Sequence, residues 1–307
     1  MSIKVEDISK FYGTQEALSH INFEAKKGEI IGFLGPNGAG KSTMMKILTA
    51  YISATSGKAY VAGFDVEEDA IEVKRRVGYL PEHNSLYTDM YVKEYLTFIA
   101  GLYKVKNIKS RVEEVIHLVR LEIEQHKKIE ELSKGYRQRV GLAAAIIHDP
   151  EVLILDEPTT GLDPNQLSEI RSLIMKIGKE KTVLLSTHIM QEVEAMCTRV
   201  LIINNGKIIA DKSTKEIKQV FTDYDLLEIE FESEVDLALF NKTFPKVTIE
   251  LKANNIYRLS NRSGKDIRAQ LFDWAVKNGL SILSQKVIEN NLEDVFKQLT
   301  ESKEIKE

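Results

Sequence analysis

The chain has 307 residues, 43% hydrophobic and 29% charged, with a net charge of −4 and one cysteine, Cys197. That length suggests one large domain or two, and the composition favours a packed core over disorder. The charge argues against a strongly nucleic-acid-binding surface, so no nucleic acid partner is expected; one cysteine excludes an intramolecular disulfide, and no apolar run approaches the ~18 residues of a membrane span.

Residues 1–6 carry charge and lack an apolar centre, so they do not read as a signal peptide. Residues 3–8 and 18–24 read as short strands around a turn at Gly13, and residues 59–64 as a third, which predicts an antiparallel sheet beside the core. Residues 29–34 are apolar and β-branched, as a buried strand is. Next comes Gly35-Pro36-Asn37-Gly38-Ala39-Gly40-Lys41-Ser42, a complete GxxxxGK[ST] loop, followed by a run to Thr49 free of Gly and Pro that predicts a helix. In that strand–loop–helix setting, glycines let backbone N–H groups turn toward phosphate oxygens, and the helix start adds partial positive charge. Lys41 can reach the outer phosphates, the Ser42 hydroxyl can ligate Mg²⁺, and Thr43 completes the phosphate-binding set.

Residues 77–80 are a core-strand candidate. From Val92 the spacing turns helical: Tyr95, Phe98, Ile99 and Leu102 fall at i, i+3, i+4 and i+7, and Val112, Val115, Ile116 and Val119 repeat it. This predicts a helical insertion over about residues 90–147. Residues 152–155, 182–186 and 200–203 are β-type runs separated by helix-like stretches, which predicts a parallel α/β sheet. Cys197 reads as a small packed side chain rather than a nucleophile. Asn204-Asn205-Gly206, between residues 200–203 and 207–210, is a hairpin signal. From Asp223 a second domain is expected: strand 226–231, helix 235–244, strands 247–251 and 256–259, helix 265–278, strand 282–287 and a last helix 292–299. That order matches a ferredoxin-like unit, and the charged tail 301–307 reads as frayed.

Three further segments carry chemistry. Glu151-Val152-Leu153-Ile154-Leu155-Asp156-Glu157-Pro158 is a buried strand ending in two carboxylates. Asp156 can hold Mg²⁺ and Glu157 can polarise a water that attacks phosphorus. Ser133 and Gly135 precede a helical run; taken alone, Ser133 is an N-cap and Gly135 a turn residue, yet a hydroxyl and helix N–H groups there can also engage a phosphate on another subunit. His188 follows a strand, where a satisfied structural histidine is the ordinary reading; beside two phosphate-site motifs it reads as a γ-phosphate sensor. Gly161-Leu162-Asp163 in isolation is a turn.

Taken together, these motifs resemble the nucleotide-binding subunit of an ABC transporter over residues 2–213. Gly35 to Ser42 match Walker A, Leu132 to Tyr136 the ABC signature, Asp156 and Glu157 Walker B with its catalytic glutamate, Gly161 to Asp163 the D-loop, and His188 the switch histidine. Tyr12 resembles the aromatic residue that stacks on adenine. Three positions depart from the family pattern: Glu82 stands where Gln is usual, Lys134 where Gly is commoner, and Tyr136 where Gln is commoner. The resemblance implies a P-loop α/β cassette over residues 1–220 with an antiparallel β subdomain, plus a small C-terminal α+β domain over residues 221–307. It implies ATP and Mg²⁺ as ligands, with Ser42, Glu82 and Asp156 at the metal. It also implies a head-to-tail dimer in which Ser133 and Gly135 of one protomer complete the other's site, with Asp163 among the nucleotide-binding residues. Asn291 to Thr300 resembles the ending of ATPases paired with ABC-2-type permeases. Leu80-Pro81-Glu82-His83-Asn84, with Tyr91 to Leu96, looks like the gliding-motility-associated ATP-binding subunits of Bacteroidota. The expected function is ATP hydrolysis powering a separate permease from the cytoplasmic face of the inner membrane. A soluble ABC ATPase acting on another macromolecule is the alternative, disfavoured by a single Walker A and the lack of a sustained heptad run. A regulatory module with weak hydrolysis is opposed by intact Lys41, Asp156 and Glu157.

Overall fold

The computed structural model describes residues 1–216, 225–261 and 266–288. They form two compact units divided between Thr214 and Lys215. Thr214 is still bonded to the first unit, its N–H and hydroxyl reaching the Thr198 carbonyl and the hydroxyl also Cys197, while the expected boundary at 220/221 lies outside the described residues.

The first unit opens with β1 (Ile3–Tyr12) and β2 (Gln15–Ala25), a hairpin turning at Gly13. Both strands outrun the sequence pattern, since their tips are exposed and carry no apolar alternation. β3 (Ile30–Leu34) leads to α1 (Lys41–Leu48), then β4 (Ser56–Val61) and β5 (Phe64–Asp65). The single strand expected over 59–64 is two: the chain reverses at Ala62-Gly63 and β5 pairs back on β4. α2 (Ala70–Arg76) and β6 (Val77–Leu80) follow. The helical insertion contains α3 (Val92–Leu102), α4 (Ile108–Leu118) and α5 (Lys134–Ile146). Then come β7 (Val152–Asp156), α6 (Pro164–Gly178), β8 (Thr182–Thr187), α7 (Met190–Met196), β9 (Arg199–Asn204) and β10 (Lys207–Ser213).

These strands make two sheets, an antiparallel one ordered β2-β1-β4-β5 and a six-stranded one ordered β10-β9-β3-β8-β7-β6. The larger is parallel from β9 to β6, and β10 joins it antiparallel through the Asn204-Asn205-Gly206 hairpin. Every residue of β3, β7 and β8 is buried, because helices cover both faces. Ile31 and Phe33 share a core with Met44 and Ile47 of α1. Gly32 points to the opposite face, where a Cβ would stand 3.0 Å from Cys197 Sγ and from Val193 of α7. Cys197 is thus a packed side chain, its thiol pushed up in pKa by burial and secondarily by the charge of Glu192.

In the helical insertion, Val112, Val115, Ile116 and Val119 are buried as their spacing predicts. α3 differs: it buries Val92, Tyr95, Leu96 and Ala100, while Phe98 and Leu102 are exposed. The i, i+3, i+4 spacing admits two overlapping stripes on this apolar helix, and packing selects the one shifted toward Leu96 and Ala100.

The second unit contains β11 (Asp225–Phe231), α8 (Leu237–Thr243), β12 (Val247–Ala253), β13 (Ile256–Asn261), α9 (Arg268–Lys277) and β14 (Ile282–Ile288). Its sheet is antiparallel throughout, ordered β12-β13-β11-β14. Phe231, Leu259, Phe240 of α8 and Trp274 of α9 form its core, with the Phe240 and Trp274 rings edge to face at 5.3 Å. The helix expected over 292–299, and the ending that resembles ABC-2-paired ATPases, lie outside the described residues.

Candidate functional site

Strand register brings four loops to one edge of the parallel sheet. Leu34 of β3 lies level with Thr187 of β8, Ser186 with Asp156 of β7, and Leu155 with Leu80 of β6. The chain leaving these strands carries, respectively, residues 35–42, His188, Glu157 and Glu82. Ligands collect at the carboxyl edge of such sheets because the loops and helix starts converge there.

The 35–42 loop is tied down at three points. Gly35 N–H donates to the Thr187 carbonyl at 3.3 Å, Ala39 N–H to Pro36 at 3.2 Å, and the Ala39 carbonyl accepts from Gly206 at 3.1 Å. Gly40, the residue before α1, has φ 106°, a left-handed conformation that a side chain would strain, and a Cβ there would also press on the Ala17 carbonyl at 2.6 Å. No side chain caps α1, so its first amides keep their donor capacity. Asn37 and Gly38 are exposed, and Ser42 and Thr43 half-buried on the first turn. Lys41 is buried; its Nζ donates to the Gly35 carbonyl at 2.8 Å and the Pro36 carbonyl at 3.2 Å. Uncapped amides, a glycine cradle and an inward cation are the donor set that phosphate oxygens require.

Asp156 and Glu157 are also buried. The Ser186 hydroxyl donates to Asp156 Oδ1 at 2.5 Å and accepts from Glu157 N–H at 3.0 Å, so one side chain fixes both residues. Glu157 has φ 50°, in the left-handed region that non-glycine residues rarely adopt. Its carboxylate meets His188 Nδ1 at 3.0 and 3.1 Å, Lys41 Nζ at 3.5 Å and the Thr160 hydroxyl at 3.2 Å. The chain's own groups thus hold a carboxylate beside the loop. Among the described residues no group of three or more His, Cys, Asp or Glu could hold a metal. The Ser42 hydroxyl and the Asp156 carboxylate could offer oxygens to a Mg²⁺ that completes its shell with phosphates and water.

Glu82 is exposed. It follows β6, the neighbour of β7, and burial pushes the Tyr79 phenol of β6 above its usual range, reinforced by the charge of Asp156 and, more weakly, of Tyr51 and Glu82. Tyr12 is half exposed at the end of β1, with Lys10 Nζ 5.4 Å from its ring centre. Ser133 caps α5, accepting from Tyr136 N–H at 3.4 Å, and Asp163 caps α6, accepting from Asn165 and Gln166 N–H at 3.0 and 2.9 Å. Gly135 abuts Gln166 so closely that a Cβ would stand 2.4 Å from its amide. Ser133, Gly135 and Asp163 therefore form a second group at the starts of α5 and α6. Gln138 joins α5 to the first group, donating to the Pro158 carbonyl at 2.9 Å.

Ser186, Thr160, Thr159 and Glu192 do not stand out in the sequence. The hydroxyls of Ser186 and Thr187 at the end of an otherwise apolar strand are the one signal it offers. Glu192 sits in a helix, where a glutamate is ordinarily solvated.

Residues 18–160 match the family model described as ABC transporter. The bacitracin transport ATP-binding protein of Bacillus licheniformis is 34% identical over 302 residues, covering 97% of this chain and 96% of that protein. Among solved structures, the ATP-binding subunit of an ABC transporter superposes with a TM-score of 0.66 at 28% identity, over 72% of this chain and 93% of that one. A dimeric bacterial ABC transporter cassette gives a TM-score of 0.63 at 25% identity, over 69% and 98%. The chain belongs to the ABC transporter family, as a subunit that binds and hydrolyses ATP.

Proposed function

We propose that this chain is the motor subunit of an ABC-2-type transporter, hydrolysing ATP to power a separate integral membrane permease. The observation that carries the reading is the buried Glu157 carboxylate held between Lys41 and His188 at the end of β7. In this reading Glu157 orients the attacking water and His188 the γ-phosphate. Residues 35–43 cradle the phosphates, Tyr12 stacks on adenine, and Ser42, Asp156 and Glu82 hold Mg²⁺. When bound, that ion supplies charge neutralisation on the phosphate oxygens. The protein's part is positioning and electrostatics, since phosphoryl transfer asks little covalent chemistry of it.

The second group, Ser133, Gly135 and Asp163, then serves a nucleotide held by another copy in a head-to-tail dimer. Support comes from the dimeric cassette that shares the fold. A permease partner is supported by the bacitracin transport protein, which this chain matches through both of its units. Among the described residues no helix is long and apolar enough to cross a membrane. Residues 221–307 are read as a ferredoxin-like accessory domain, and the location as the cytoplasmic face of the inner membrane. Export, or a role in gliding motility, is the proposed use.

The test is to purify the tagged chain from its native membranes and identify what accompanies it, then assay ATPase activity with and without those membranes. The expected result is an integral membrane protein in stoichiometric amount and an activity that it modulates. Activity indifferent to membranes, with no integral partner, would favour the soluble ATPase instead.

A further inference from the structure

Glu192 is fully buried on α7, yet among the described residues no salt bridge reaches it. Its two carboxylate oxygens are taken by two hydroxyls: Thr159 donates to Oε1, and Thr187 donates to Oε2 at 2.7 Å. Both threonines are themselves buried, and Thr187 Oγ1 also accepts from Ile189 N–H at 3.0 Å. A carboxyl group removed from water without a cation is costly, and an apolar side chain of similar size would pack there more cheaply. Its presence calls for a reason beyond packing.

The two threonines supply one. Thr159 lies two residues after Glu157, on the segment whose left-handed start is at Glu157 itself. Thr187 immediately precedes His188. The His188 ring returns to the Glu157 carboxylate at 3.0 Å. The contacts therefore close a ring: Glu157 to Thr159 along the chain, Thr159 to Glu192, Glu192 to Thr187, Thr187 to His188 along the chain, and His188 back to Glu157. The β7 and β8 loops meet through this ring twice, once at the reacting groups and once at Glu192 behind them.

We propose that Glu192 is a positioning residue for hydrolysis, which fixes the contact between Glu157 and His188 by holding Thr159 and Thr187 together. This rests on the reading of Glu157 and His188 given above. Small displacements of positioned groups are expensive in rate, about 10²-fold for ~1 Å in unfavourable cases. Glu192 reaches the 35–43 loop only through Thr187, whose main-chain carbonyl takes the Gly35 N–H while the strand pairing of β3 with β8 holds that carbonyl in place, so its loss is expected to bear on rate more than on substrate affinity.

The experiment uses the full-length chain and compares kcat, KM for ATP and the number of titratable nucleotide sites. Glu192→Ala is expected to lower kcat by ~10-fold or more, with KM and titrated sites within about twofold of the parent. Glu192→Gln is expected to recover most of that loss. Its amide oxygen can still accept from Thr187, and the Thr159 hydroxyl can turn to accept from its amide nitrogen. A purely structural residue would not give the next result: Glu192→Ala combined with His188→Ala is expected to be no slower than the slower single variant, because both act through one contact. Multiplicative losses in the double variant, or a parental kcat in Glu192→Ala, would overturn the proposal. Should Glu192→Ala fail to fold, Thr159→Val and Thr187→Val each remove one hydroxyl at nearly constant shape and are expected to lower kcat without losing titrated sites; parental kcat in both would overturn it equally. Glu157→Gln is run beside them, since normal turnover there defeats the underlying assignment of Glu157 whatever Glu192 does.

Discussion

Lys41 Nζ stands 3.5 Å from Glu157 Oε1, with both side chains less than a tenth exposed. The cation comes from the start of α1 and the anion from the end of β7, so their pairing joins two segments distant in sequence. Lys41 also has two backbone carbonyls within reach, and it keeps acceptors when a phosphate is not its partner. The 35–42 loop thus already holds its cation turned inward.

Lys41→Ala is accordingly expected to lose tight nucleotide binding. A hydrogen bond to a charged group is worth roughly 1.5–3 kcal/mol, so the dissociation constant should rise by ~10- to 10²-fold for each hydrogen bond to phosphate that the substitution removes. Calorimetric titration with ATP checks this, and an unchanged affinity would refute the role.

Glu157→Gln keeps the shape and most hydrogen bonds but removes the basic carboxylate. Lys41 retains its carbonyl acceptors, so the fold should tolerate the change. Nucleotide binding should persist, hydrolysis should fall by ~10²-fold or more, and a dimer should accumulate with ATP. Steady-state turnover and size-exclusion chromatography measure these outcomes. Near-normal turnover would move the catalytic role to another residue.

The strand–loop–helix around residues 35–42, the ends of β7 and β8, and the existence of the helices in the insertion were legible because each shows as a local pattern. An apolar run ends in a glycine cradle or a pair of acids, and register then places the ends side by side without further instruction. What escaped was whatever depends on contacts between segments. Ser186 looks like any strand residue until Asp156 and Glu157 lie beside it. Phe98 and Leu102 of α3 carry the same spacing as the buried stripe, and only packing reveals that they face solvent. Periodicity states that a helix has an apolar side; it does not choose between two such sides sharing residues.

Ser133 has two readings that one comparison separates. As the N-cap of α5 it accepts from Tyr136 N–H at a long 3.4 Å, so Ser133→Ala should cost at most about 1 kcal/mol of stability. Ser133→Arg should cost no more in stability, spare nucleotide binding by the monomer, and block ATP-dependent dimerisation by bulk and charge. Mixing it with Lys41→Ala protein should restore one composite site. Normal dimerisation and hydrolysis by Ser133→Arg would leave Ser133 a helix cap and nothing more.

Glu82 is expected to bear on the metal rather than on the nucleotide. It follows β6, whose Leu80 is level with Leu155 just before Asp156, and its exposure means that solvent screens its charge. Glu82→Gln should therefore raise the Mg²⁺ concentration needed for half-maximal ATPase activity, with a smaller effect on ATP binding measured without metal. Superimposable Mg²⁺ titrations of the two proteins would remove Glu82 from the metal site.

His148 predicts how stability varies with pH. It follows α5, stacks on Tyr103 at 3.8 Å with the rings 7° from parallel, and its Nε2 lies 3.1 Å from the Val77 carbonyl. With Nε2–H donating there, Nδ1 is left buried without a partner. Burial is the main cause that pulls its pKa from 6.5 down to about 4. The sign follows from proton counting: between pH 4 and 6.5 the unfolded chain holds a proton on this ring and the folded chain does not. Its contribution to stability therefore rises with pH across that window and is lost as pH falls through it. His148→Phe keeps an aromatic ring for the stack but cannot titrate. It should be less stable than the parent at about pH 7, where the bond to Val77 is missed, and the gap should narrow at about pH 5. Urea unfolding of both proteins at the two pH values measures the difference. An equal gap at both would mean that His148 titrates alike in the folded and unfolded chains.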